Sequence, residues 1–180
     1  MFGMSTATVS TETMNTAKLG VISDTHGLLN ETVRAVQLFR EHGVQAIVHC
    51  GDIGSSAVVR AFQGIETHFV LGNMDGGCMD GERESLQFAA EETGNHFHDW
   101  FGSIELSGKR IAFAHGHLPQ FEEELGSGNW DLLCFGHTHV ASLQMHGSTL
   151  LLNPGAFVRV FRPTVAIVTL PDMAVERLDV

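Results

Sequence analysis

The sequence predicts an α/β fold in a single domain, and three observations carry that reading. Short apolar runs alternate with amphipathic segments through the first half of the chain. In the second half, apolar runs come in pairs around Ser107-Gly108-Lys109, His146-Gly147-Ser148 and Pro171-Asp172, which are hairpin signals. The length, 180 residues, and a hydrophobic fraction of 43% suit one domain with a substantial core.

Taken in order, Leu19 to Ser23 is the first predicted strand. Asn30 to His42 reads as a helix, with Val33, Val36, Leu38 and Phe39 near one face and Arg34, Gln37 and Arg40 off it. Asn30 is its expected cap and Gly43 its stop. Ala46 to Cys50 is the second strand. Gly54 and Ser55-Ser56 open a second helix through Phe62, closed by Gly64, and Glu66 to Leu71 is the third strand. Alternation at this spacing implies parallel βαβ units with right-handed crossovers. A loop begins at Gly76-Gly77, and Glu82 to Glu92 is a further helix with Leu86, Phe88, Ala89 and Ala90 as its apolar residues. Trp100 to Leu106 and Arg110 to Ala114 form the first hairpin. Pro119 suits the first position of a helix, with Glu122, Glu123 and Glu124 favourable near its amino end. Asp131 to Phe135 is another buried strand. Val140 to Met145 with Thr149 to Leu152, and Thr164 to Leu170 with Ala174 to Leu178, are the remaining hairpins.

Composition removes several classes of function. The net charge is −11 and the ten Lys and Arg form no cluster. Binding a phosphate backbone needs concentrated basic residues, so general nucleic-acid binding is not expected. Cys50 and Cys134 end apolar runs and read as small buried hydrophobes, and Cys78, in a Gly-rich loop, as a free thiol. Three cysteines without an extracellular pattern argue against a disulfide framework and for a cytoplasmic protein. No stretch is long and apolar enough to span a bilayer, so no membrane partner is expected. Residues 1–17 are rich in Ser and Thr and lack the apolar core of a signal peptide. They read as a disordered leader before a domain over 18–180, with Met4 and Met14 as alternative starts. A homo-oligomer is compatible with the sequence but nothing in it demands one.

The chemistry collects where strands open into loops. Asp24-Thr25-His26-Gly27 follows the first apolar run. Side chains two apart on extended backbone point the same way, so this carboxylate and imidazole can meet one ion. Gly51-Asp52, Gly72-Asn73-Met74-Asp75, His115-Gly116-His117 and Gly136-His137-Thr138-His139 repeat the arrangement. Each has a ligand-type residue at a strand's carboxyl edge, where open α/β sheets bind ligands, and a Gly that permits close backbone approach. One such segment alone is an ordinary turn or cap. Five in one small domain point to metal binding. The candidates are Asp24, His26, Asp52, Asn73, His115, His137 and His139, seven in all. That is too many for one ion and suits two if one carboxylate bridges. Imidazole with carboxylate suits manganese, nickel, iron or zinc, whereas calcium and magnesium want mostly oxygen. Paired ions ~3.5–4 Å apart are a known solution to phosphate ester hydrolysis. Two divalent ions against two carboxylates leave a positive centre for a phosphate anion inside an acidic protein.

These segments in this order, with Ser23 before Asp24 and Asn153-Pro154-Gly155 after the last, resemble the calcineurin-like metallophosphoesterase superfamily. Within it they look like the small bacterial and archaeal phosphodiesterases, over a span from about Leu19 to the C-terminus. The resemblance implies a four-layer αββα sandwich of two mixed sheets. It puts Asp24, His26 and His139 on a first metal, Asn73, His115 and His137 on a second, and Asp52 between them. His117 matches the second His of the family's His-Gly-His motif, and with Asn73 it is a candidate catalytic residue. Many members carry Gly-Asn-His where this chain has Gly72-Asn73-Met74, so the general acid is left open. The implied activity is two-metal cleavage of a small phosphodiester, with hydroxide at the metals attacking phosphorus in line. Two alternatives share the fold. One is a non-catalytic interaction scaffold such as the retromer scaffold subunit, in which key ligand positions are altered. The other is a phosphomonoesterase or protein phosphatase, for which this short chain leaves little room for a recognition cap. His42, His49 and His68 read as structural or surface residues. Arg159 and Arg162 read as solvated surface within reach of a phosphate.

Overall fold

The computed structural model describes residues 15–75 and 81–180. The expectations for Cys78, for the Gly76-Gly77 loop and for most of the leader lie outside the described residues. The predicted alternation is present as β1 (Ala17–Ile22), α1 (Leu29–Glu41), β2 (Ala46–His49), α2 (Ser56–Ala61), β3 (Glu66–Phe69) and α3 (Glu82–Glu92). A two-residue strand, β4 (His96–Phe97), follows and has no counterpart in the sequence reading. The second half runs β5 (Phe101–Leu106), β6 (Lys109–Ala114), α4 (Pro119–Ser127), β7 (Leu132–Cys134), β8 (Ser142–His146), β9 (Thr149–Asn153), β10 (Thr164–Leu170) and β11 (Ala174–Asp179).

Two mixed sheets result. One has the order β11-β10-β1-β2-β3-β4 and the other β5-β6-β7-β9-β8. Strands β1 to β4 are parallel, and β10 joins them antiparallel to β1 with Gly20 opposite Ile167. In the second sheet β6, β7 and β9 are parallel, and β5 and β8 are antiparallel edges.

Alternation along the strands sorts the apolar residues into three cores. Ile22, Ile47 and Phe69 pack with Val36 and Phe39 of α1, Val58 and Val59 of α2, and Leu86 and Ala89 of α3. Leu19, Val21 and Val48 point the other way and meet Ile111, Phe113 and Leu132 of the second sheet. Ala112, Ala114, Leu133 and Leu151 cover the outer face of that sheet against Phe121 and Leu125 of α4. These three apolar interfaces separate helices, sheet, sheet and helix, the four layers of an αββα sandwich. Cys50 and Cys134 lie unpaired in the intersheet core.

Local details depart from expectation where neighbours, not periodicity, decide. Strand β1 starts at Ala17 and ends at Ile22, because its pairing with β10 begins at Ala17 opposite Leu170. Asn30 is inside α1 and caps nothing; the helix starts after Leu28 without a side-chain cap. Thr32 and Ala35 occupy the buried face, and Val33 is half exposed. In α3 Phe88 is 62% exposed while Leu86, Ala89 and Ala90 are buried. Ser55 caps α2, its hydroxyl accepting from the Val58 N–H. Pro119 is in the first turn of α4. Among the described residues no helix is long and apolar enough to cross a membrane.

Candidate metal centre

Parallel strands deliver their following loops to one edge. β1, β2 and β3 bring Asp24 with His26, Asp52, and Asn73 there, while β6 and β7 bring His115 and His137 with His139. Backbone hydrogen bonds hold the loops in register: the N–H groups of Asp24, His26 and Gly27 donate to the carbonyls of Gly51, Asp52 and Ile53 at 3.0, 2.9 and 2.8 Å. Gly136 N–H donates to His115 C=O at 3.2 Å. Five of the seven candidate ligands, Asp24, His26, Asp52, His137 and His139, have positive φ between 43° and 66°. Non-glycine residues rarely adopt this conformation, Asp and His more readily than most, and such residues are enriched at functional sites. Two glycines make the close approach possible. A Cβ on Gly72 would collide with the Asp52 carboxylate, and one on Gly136 with the Ser23 hydroxyl.

All seven candidates converge, in two overlapping groups. In the first, ligand atoms of Asp24, His26, Asp52 and His139 all lie within 4.8 Å of one another. His139 Nε2 is 3.2 Å from Asp24 Oδ1, and His26 Nε2 is 3.9 Å from the same oxygen and 3.4 Å from Asp52 Oδ2. In the second, Asn73 Oδ1 lies 3.0 Å from His115 Nε2 and 2.9 Å from His137 Nδ1. His115 Nε2 is 3.4 Å from Asp52 Oδ1. Asp52 therefore faces the first group with one oxygen and the second with the other.

Burial and hydrogen bonding set the state of these atoms. Asp24 is fully buried, and its Oδ2 accepts from the Ser23 hydroxyl at 2.6 Å and the His137 N–H at 3.2 Å. Its Oδ1, like His26 Nε2, is buried without a hydrogen-bond partner among the described residues. Removing an ion from water costs several kcal/mol, roughly, unless an opposite charge compensates. Burial pushes the Asp24 carboxyl up, against the Ser23 hydrogen bond and the charges of His115 and His139. Burial also acts to raise Asp52, but His115, the Met74 N–H at 2.9 Å and His26 outweigh it and bring that carboxyl below its usual range. His115 loses basicity to burial and regains more from Asp52 and Asp24, ending above its usual range. Its Nδ1 donates to Cys50 C=O at 2.8 Å, which fixes the ring with Nε2 toward the site. The donor set of imidazole and carboxylate fits divalent transition metals.

Three residues brace the loops. Asp75 is fully buried and accepts from the N–H groups of Ile53, Gly54 and Gly72, each at 2.9 Å, tying the Asp52 loop to the Asn73 loop. Asn153 donates to Gly136 C=O at 2.8 Å and Thr138 Oγ1 at 3.1 Å, which steadies the His137–His139 segment. Thr25 Oγ1 donates to Ile53 C=O and meets His49 Nε2 at 2.9 Å. Asp75 and Asn153 stand inside the motifs, yet their roles as braces are not legible there, since these partners, all but Gly72, lie 15 to 22 residues away.

The other flagged residues separate. The histidine rings of His117 and His115 are 5.4 Å apart and those of His117 and His137 6.0 Å apart, with Trp100 on His117. Burial and the neighbouring His115 and His137 lower the basicity of His117. Met74, Val158 and Arg159 line a cleft of about 360 Å³ together with His26, Asp52 and His139. Arg162 instead pairs with Asp179 at 3.2 Å on the exposed surface. His49 is buried against Phe62 and Phe69, and His42 bonds the Leu38 carbonyl at the end of α1, both structural as expected.

This fold and site place the chain among known proteins. The family model for the calcineurin-like phosphoesterase superfamily domain matches residues 17–173. The chain belongs to that superfamily. It is 30% identical over 140 residues to the phosphodiesterase MJ0936 of Methanocaldococcus jannaschii, covering 77% of this chain and 82% of that protein. It is 28% identical over 150 residues to the phosphodiesterase YfcE of Escherichia coli strain K12, covering 77% and 78% of the two chains. A solved archaeal phosphodiesterase superposes with a TM-score of 0.78 at 28% identity, over 91% of this chain and 99% of the other.

Proposed function

We propose that this protein hydrolyses small phosphodiesters with two divalent transition-metal ions. Asp24, His26 and His139 would hold one ion and Asn73, His115 and His137 the other, with Asp52 facing both groups. The observation that carries this reading is the disposition of Asp52, whose two oxygens face His26 and His115 at 3.4 Å each. When bound, such ions supply Lewis acidity toward phosphoryl oxygens and acidify water at neutral pH. The chain's own residues prepare that chemistry. Asn73 contributes a neutral amide oxygen, so Asp24 and Asp52 are the only carboxylates in the set and the loaded centre stays positive toward phosphate. Arg159 at the cleft rim adds a positive charge suited to a phosphoryl oxygen. Met74, 51% exposed in the cleft, cannot donate a proton. The leaving group would then depart by its own acidity or with a proton from His117. Manganese, nickel, iron and zinc all suit the donor set. The unpaired Cys50 and Cys134 suit a reducing, cytoplasmic setting.

The test is a panel of phosphodiesters and monoesters with metal-stripped protein reloaded separately with manganese, nickel, iron and zinc. Diester cleavage is expected with at least one metal. His139→Ala should lose most of it while the metal-free melting temperature stays nearly unchanged. A wild-type protein that is fully metallated yet inert on every diester would overturn the proposal in favour of a scaffold.

A further inference from the structure

A second cluster of ligand-type side chains lies at the edge of the six-stranded sheet. β3 and β4 run parallel there, with His68 opposite His96. Glu66 and His68 are two apart on β3, so they share a face, and His96 and His98 are two apart on β4 and the residue after it. His68 Nε2 is 3.3 Å from Glu66 Oε1, and His96 Nε2 is 3.8 Å from the same oxygen. The rings of His68 and His96 stack at 4.4 Å and 13°. Ligand atoms of Glu66, His68 and His96 all lie within 4.8 Å of one another. His68 Nδ1 is 2.9 Å from His98 Nε2, and His98 packs edge-on against Phe113 of the second sheet. His68 is buried, whereas Glu66 and His96 open to solvent. Glu66 begins β3, and Asn73 follows its carboxyl end, so the cluster is distinct from the centre described above.

We propose that Glu66, His68 and His96 form a separate site for one zinc or similar imidazole-preferring divalent ion, with His98 orienting His68. Packing alone does not explain the arrangement. Any aromatic side chains could plug this sheet edge against Phe113, but here two imidazole nitrogens turn to one carboxylate oxygen. Two imidazoles and a carboxylate are a donor set that zinc uses, with a further position left for water. The His68–His98 hydrogen bond supplies what a metal-binding histidine needs on its far side. With Nδ1–H donating to His98, the lone pair of His68 Nε2 faces the ion. The bound ion clips a two-residue strand to its neighbour where the chain passes from the first sheet to the second.

The experiment uses full-length protein stripped with chelator, dialysed against excess zinc and then zinc-free buffer, with zinc counted per chain. Wild type is expected to hold one zinc more than His96→Ala and one more than Glu66→Gln. Zinc should also raise the melting temperature of wild type more than that of either variant. Both residues are partly exposed, so the variants are expected to fold; if His96→Ala does not, Glu66→Gln decides. The same one-zinc difference should persist when each change is made in an Asp52→Asn background, which separates this site from the catalytic centre. Diesterase activity is expected to be unchanged by His96→Ala. Equal zinc content in wild type, His96→Ala and Glu66→Gln overturns the proposal, and leaves the catalytic reading untouched.

Discussion

Replacing Asp75 with Asn isolates the brace that joins two ligand loops. Asp75 Oδ2 accepts from Ile53 and Gly72, and Oδ1 accepts from Gly54. An Asn of the same shape can keep its oxygen at the first pair, but its NH2 then faces the Gly54 N–H, donor against donor. Leaving one buried donor unsatisfied costs roughly 1–3 kcal/mol, and the two surviving bonds lose their charge assistance. Part of this is offset, because burial already disfavours the Asp75 carboxylate and pushes its pKa up. A net loss of about 2 kcal/mol is expected, or roughly 4–8 °C in melting temperature for a chain of this size. Because Asp52 and Asn73 sit on the loosened loops, metal affinity should fall by roughly 10–100-fold as well, the usual effect of removing a supporting partner of a metal ligand. Urea unfolding with excess chelator measures the first effect without contribution from bound metal, and zinc titration measures the second. Asp75→Ala, which strands all three donors, should be worse on both counts. If Asp75→Asn unfolds within about 0.5 kcal/mol of wild type, the range of neutral surface changes, and binds metal normally, the bracing argument is wrong.

Three further outcomes follow from the site. Asp52→Asn should weaken the binding of both ions of the proposed pair, and anomalous scattering showing a fully occupied ion pair without an Asp52 contact would refute its proposed shared role. Because Met74 offers no proton, aryl diesters should turn over far faster than alkyl diesters; general acid help is worth roughly 10²–10⁴-fold where it operates. Met74→His should lift the alkyl substrates most, His117→Ala should depress them if His117 is the substitute acid, and a flat wild-type plot of log rate against leaving-group pKa, with chemistry rate-limiting, would reveal another acid. Burial, joined by the charge of His115, pushes His49 down to about 3. A histidine depressed in the folded state stabilises fully above its unfolded value near 6.5 and loses that stability as pH falls toward its folded value. Unfolding free energy of the metal-free protein should thus drop by on the order of 2 kcal/mol between pH 6.5 and 5 from this group, and His49→Gln should show a shallower slope in urea titrations; an identical slope would show that His49 is not the titrating group.

Much of this molecule was legible residue by residue. The strand-helix alternation, the three hairpins, the helix start at Pro119 and the ligand-bearing loops are all encoded locally, in apolar periodicity and in the turn chemistry beside it. The identities of the seven candidate ligands follow from those loops, because parallel strands necessarily deliver their ends to one edge. What only the tertiary structure decided are pairings across long stretches of chain. Nothing local says that β10 and β11 leave their sequence neighbours and complete the first sheet beside β1, or that β9 inserts between β7 and β8. Those choices are made by which apolar faces meet at a distance. The same holds for single residues. Val33 and Phe88 carry apolar side chains outward because Thr32 and Ala35, or Leu86 and Ala89, fill the contact with the sheet. Asp75 becomes a brace only when the loop after β2 lies beneath it. His68 and His96 meet only because the two residues of β4, too few to carry a period, pair in parallel with β3. A sequence specifies the donors a loop presents; which donors share an ion depends on strand register, and register is settled by the packing of the whole sandwich.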